Sequence, residues 1–135
     1  MNKAFVIVGA VAFVFTPLAA RAQCVTFDKP EDFYRLSDAV FVGTVIRNAP
    51  TGAKGSHEMV DVATLPVERS WKGVPSREVR VASDVALESQ KKYLVFASGD
   101  PLSTSALCRW TEPIDEAKAK LDWLSKRRSR VPKQE

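Results

Sequence analysis

Ala39-Val40-Phe41-Val42-Gly43-Thr44-Val45-Ile46-Arg47 is a run of β-branched and aromatic residues that closes on a charge. Such residues favour a strand. With no polar residue before Gly43, the strand reads as buried on both faces or strongly curved. Gly43 is then the bend or bulge.

Working outward, Asn48 to Ser56 is a loop on composition. Met59 to Trp71 alternates as a long strand, with Val60 and Val62 and then Leu65 and Val67 on its apolar side. Pro66 inside it implies an edge or a bulge, and Trp71-Lys72-Gly73 ends it at a turn. Glu78 to Ala82 alternates cleanly, Tyr93 to Ala97 is another apolar strand, and Thr104 to Cys108 supplies a short fifth. From Pro113 the period becomes helical, with Ile114, Ala117, Leu121 and Leu124 on one stripe and Thr111 or Glu112 at its start. Upstream, Asp28-Lys29-Pro30-Glu31 has the form of a helix start, with Asp28 capping and Glu31 returning the bond. Phe33 and Leu36 would face the core of this short helix. Five strands between two helices predict a small all-β closed barrel.

The chain has 135 residues, 45% of them hydrophobic and 27% charged, enough for one core and ordinary for a globular domain. Its first part reads differently. Met1-Asn2-Lys3 is basic, Ala4 to Phe15 is apolar, and Ala20-Arg21-Ala22 has the small residues that signal peptidase reads. The apolar run is short against the about 20 residues of a membrane span. Residues 1–22 are therefore read as a signal peptide cleaved after Ala22, which places the mature chain in the periplasm or outside the cell. An N-terminal membrane anchor is the alternative. Gln23 before Cys24 does not fit a lipidation site.

Removing Lys3 and Arg21 from 20 basic residues leaves 18 against 16 acidic ones. Five of those 18 are Lys126, Arg127, Arg128, Arg130 and Lys133, in the tail at 126–135. The domain at 23–125 is slightly acidic without them, so the basic pI belongs to the tail. The tail is either a solvated helix end that suits the helix dipole or a contact to an anionic lipid or polysaccharide surface. Export speaks against nucleic acid as partner.

Cys24 and Cys108 stand at opposite ends of the mature chain. An even pair in an exported protein is expected to be oxidised. Closing a loop of about 85 residues stabilises a domain by roughly 4–4.5 kcal/mol on chain-entropy grounds. Two distant cysteines and one histidine do not make a four-ligand zinc site, and no metal or other cofactor is expected.

The ordered set Ala39 to Val45, Val67 to Gly73, Tyr93 to Ala97, and Leu107-Cys108 followed by a helix resembles bacterial secreted proteins of the tissue inhibitor of metalloproteinases type. The resemblance runs from Cys24 to about Leu124. It implies a five-stranded OB-like barrel of the netrin-like kind, with a short N-terminal helix and a C-terminal helix. It also implies a protein-binding module, with a metalloprotease as one partner class, that works through Gln23, Cys24, Val25 and Thr26. In the animal inhibitors a free N-terminal Cys chelates the target's zinc. Here Gln23 precedes Cys24, and Thr26 stands where those inhibitors have a second Cys.

Catalysis needs a nucleophile, a base in reach and a group that orients the base. His57 is the single histidine, in a Gly/Lys-rich loop between Ser56 and Glu58, and reads as solvated. A hydrolase would need activity that disappears with His57→Ala. Asp115, Glu116 and Asp122 with Lys118 and Lys120 read as a salt-bridged solvent face. Trp71, Tyr93 and Phe96 are either barrel core or a stacking platform. Trp123, off the apolar stripe, is expected to be partly exposed and is a candidate contact. The expected function is a non-enzymatic, exported binding module; the alternative is a cell-envelope or surface-adhering domain held by its tail.

Overall fold

Strand β1 (Ala39–Thr44) is apolar along its length because both of its faces are covered. Ala39 and Phe41, with Val45 just beyond, pack into the barrel interior. Val40 and Val42 pack outward beneath two helices. These relations come from a computed structural model that describes residues 24, 27–51, 59–74 and 76–132. The leader at 1–22, Gln23, Val25, Thr26, the 52–58 loop with His57, and Lys133 lie outside the described residues.

Beyond β1, the chain breaks at Val45-Ile46 and resumes as β2 (Arg47–Pro50), an exposed edge strand. The expected loop therefore begins later than composition implied. Strand β3 (Asp61–Lys72) spans two neighbourhoods. Its first half pairs with β2 on one side and β4 (Glu78–Ser83) on the other, and its second half pairs with β1. Pro66 sits at the changeover, opposite Glu78, with Val67 already opposite Gly43. Two register shifts mark the β1–β3 pairing, one of them at Val42/Gly43. The strands cross so closely there that a Cβ on Gly43 would stand 2.6 Å from the Pro66 carbonyl oxygen. Gly43 is thus the bulge that its position implied.

Strand β5 (Lys92–Ala97) runs antiparallel to β1 over six paired residues and carries β7 (Thr111–Pro113) on its other edge. Strand β6 (Ser103–Thr104) lies parallel to β4. The amides of Ser98 and Ser103 each donate to the other's carbonyl at 2.9 Å, and the Thr104 hydroxyl donates to the Phe96 carbonyl at 2.8 Å. The circuit β1–β3–β4–β6–β5 is therefore nearly closed, an all-β OB-like barrel with β2 prolonging β1 and β7 added outside.

Its interior holds Phe41, Leu65, Val81, Tyr93 and Val95. The Tyr93 oxygen accepts the Glu88 amide at 2.9 Å, so the buried phenol is satisfied. A second core lies outside the sheet, where α1 (Pro30–Leu36) and α2 (Lys118–Leu124) cover Val40, Leu94 and Phe96 with Phe33, Ala117 and Leu124.

Several local expectations are corrected. Asp61, Ala63, Leu65 and Val67 carry the inward phase of β3, with Thr64 and Ser70 also buried, while Val62 is only half-buried, so the first half of the strand is phased one residue away from the Val60/Val62 reading. A one-residue shift turns every side chain to the other face. Leu36 is 49% exposed, and Phe33 alone of α1 is buried. Lys29 holds the α1 cap position with no side-chain bond, which replaces the Asp28–Glu31 cap. Of the predicted fifth strand, Thr104 to Cys108, only Thr104 is extended, paired in β6 with Ser103 before it, and Cys108 lies in a turn. Thr111 and Glu112 belong to β7, and a 3-10 turn over Ile114–Glu116 precedes α2.

Candidate functional site

The turn after β6 is built by one carboxylate. Asp84 accepts the Ser105 hydroxyl and, at 2.8 Å, the Ala106 amide; the Ser105 oxygen in turn accepts the Cys108 amide at 3.0 Å. This fixes Cys108, which is joined to Cys24 with an S–S length of 2.02 Å and a Cα–Cα distance of 5.2 Å. The two distant cysteines are thus brought together as their pairing in sequence implied.

Next to the bridge, Arg109 adopts a left-handed backbone with φ of 61°. Its Nε donates to Glu112 Oε1 at 2.6 Å, and its carbonyl accepts the Lys120 ammonium. Lys120 Nζ lies 3.3 Å from Glu112 Oε2 and 4.0 Å from the Phe33 ring centroid. Glu112 is 4% exposed. Burial pulls the Lys120 pKa below the ordinary lysine value, and the attraction of Glu112 opposes that pull. Lys118 does pair with Asp122 at 3.2 Å on the solvent side, but Lys120 is turned inward and is not part of the solvent face.

Against this cluster lies a groove of about 340 Å³ whose walls include Phe27, Lys29, Phe33, Cys108, Arg109 and Lys120. Phe27 stands edge-on to the buried Phe33 and to Trp110, with centroids 5.4 and 5.8 Å apart, so aromatic packing backs the Phe27 side of the wall. Of the predicted contacts at this end, Cys24 borders the groove through its bond to Cys108.

The basic tail forms a different surface. Arg130 is not in a frayed end: its amide donates to the Ser70 carbonyl at 2.7 Å and its carbonyl accepts the Ser70 amide at 2.8 Å, a bridge to β3. Arg69 Nε donates to the Ser129 hydroxyl at 2.6 Å, and its guanidinium lies 5.3 Å from the Trp71 centroid. Arg127 stacks 4.0 Å from Trp123 and 4.8 Å from Tyr34. Trp123 is half-buried, as its off-stripe position implied. Lys72 Nζ donates to the Tyr34 carbonyl at 2.9 Å. Gly73 turns the chain here at φ of 64°, with Asp38's carbonyl oxygen 1.8 Å from where a Cβ would stand. A cavity of about 600 Å³ opens between this turn and Arg128–Arg130.

Trp71, Tyr93 and Phe96 do not share a surface: Tyr93 is inside the barrel, Phe96 is under α1 and α2, and Trp71 is half-buried at the tail. Among the described residues no group of three or more His, Cys, Asp or Glu could hold a metal ion, and no helix is long and apolar enough to cross a membrane. No protein-family model matches the chain, and no curated protein matches it.

Proposed function

We propose that the chain is an exported, non-catalytic binding module that engages a protein partner at its Cys24 end. The groove beside the Cys24–Cys108 bridge carries this reading. Its aromatic wall offers apolar contact area at little entropic cost, which is what interface anchors need. Arg109 and Lys120 are paired with Glu112 behind the groove, and Asp28 and Lys29 put one charge of each sign on its rim, so recognition there combines apolar contact with a mixed-charge rim. The basic-then-apolar leader and the disulfide fit an oxidising compartment, periplasmic or extracellular. A metalloprotease remains one partner class through the resemblance to its tissue inhibitors. With Gln23 ahead of Cys24, contact through the groove walls replaces chelation by an N-terminal amine.

The test is photo-crosslinking in the producing cell, with a photoreactive residue at Lys29 or Ala119 on the groove and at Arg80 on β4. All three positions are exposed. One defined adduct from the groove positions, absent at Arg80, is expected. No adduct, or the same adducts at all three positions, overturns the reading.

A further inference from the structure

Five cations gather where β3 meets the tail: Arg69, Lys72, Arg127, Arg128 and Arg130. None of them belongs to an ion pair among the described residues, whose pairs involve Arg35, Arg47, Lys91, Lys92, Arg109, Lys118 and Lys120. The tail that carries three of them is fixed to the barrel by the Ser70–Arg130 bridge, by Ser129 on Arg69 and by Arg127 on Trp123. The path of the tail backbone and the side chains of Arg69, Lys72 and Arg127 are therefore placed before any ligand arrives, which lowers the ordering cost of binding. The cavity of about 600 Å³ at the centre of this strip has Ser70, Trp71 and Ser129 on its wall beside Lys72, Arg128 and Arg130, with no carboxylate among the described residues that line it.

We propose that this strip is a binding site for a linear anionic polysaccharide. Guanidinium groups recognise carboxylates and sulfates through two parallel N–H bonds. Serine hydroxyls suit the hydroxyls of sugars. The site is concave, whereas a bilayer surface presents no chain to enter a cleft. The disulfide implies an oxidising compartment, where polymers bearing uronate or sulfate are met and nucleic acid is not the usual anion. This proposal is independent of the groove at the Cys24 end.

The experiment titrates the full mature protein with polygalacturonate by calorimetry at low and at physiological salt, with uncharged dextran as control. Parallel titrations use phosphatidylglycerol vesicles and duplex DNA. Binding to polygalacturonate is expected, weakening steeply with salt as screening grows. Arg128→Glu, at an exposed side chain outside every ion pair of the described residues, should weaken it about tenfold at low salt. Arg80→Glu, on exposed β4, should leave it nearly unchanged. Absence of binding, equal loss in both variants, or tighter binding to vesicles or DNA than to polygalacturonate overturns the proposal.

Discussion

The two surfaces border the same helix pair and handle positive charge in opposite ways. Phe33 and Lys120 belong to the groove beside the disulfide, while Tyr34 and Trp123 belong to the tail strip. At the disulfide end Arg109 and Lys120 converge on the single buried carboxylate of Glu112. At the tail end five cations have no carboxylate partner among the described residues; Arg69, Lys72 and Arg127 lie against a hydroxyl, a carbonyl or aromatic rings, and Arg130 is anchored through its backbone. Burial explains the difference. A buried charge without a partner costs several kcal/mol, whereas an exposed one is solvated and costs little. The first arrangement stabilises the fold, and the second leaves charge available to a ligand.

The largest expected effect is on the bridge. Cys24→Ser with Cys108→Ser should remove about 4.5 kcal/mol in urea unfolding, while leaving the strip's Ser70–Arg130 bridge in the native state. A loss under about 1 kcal/mol would mean that the groove end does not depend on the disulfide. Next comes Glu112→Ala, which leaves the buried Lys120 ammonium without its carboxylate and should cost about 3–5 kcal/mol. Arg128→Glu should stay within about 0.5 kcal/mol of the parent protein. Similar costs for the two would erase the contrast between the surfaces. On the tail side the sensitive position is a backbone one. Gly73→Ala meets both a left-handed φ and the Asp38 carbonyl, and should destabilise by about 1–3 kcal/mol in the same assay.

The smallest effect is a pH dependence. Lys120 has a folded pKa below its unfolded value near 10.5. Between the two values the unfolded state binds more protons, so this group makes stability rise with pH in that alkaline window. Lys120→Met should abolish that contribution. A parent and a variant with parallel stability–pH curves would show that Lys120 is not desolvated.

The strands that carry the barrel were legible from two patterns, apolar runs in β1 and β5 and clean alternation in β4, and all three lie where the pattern put them. The disulfide was legible by counting. The phase of β3 was not, because Val60 and Val62 look as apolar as Ala63 and Leu65, and the barrel buries Asp61 in the inward phase. Leu36 looked like a core residue on helical spacing, but α1 is too short to bury more than Phe33. Lys120 read as a solvent-facing partner of its own helix; its true partner, Glu112, lies on β7, across a turn that periodicity does not register. The docking of the tail left no trace in the pattern either, since Ser70 and Arg130 meet through backbone groups that every residue carries.

The reading of an exported module whose binding end is tied together by its two cysteines is tested most directly by intact mass. The protein would be recovered from the cell envelope or the medium and weighed before and after reduction. A chain beginning at Gln23 or its cyclised form, gaining two hydrogens on reduction, is the expected result. An uncleaved chain, or a mass that reductant leaves unchanged, would contradict it.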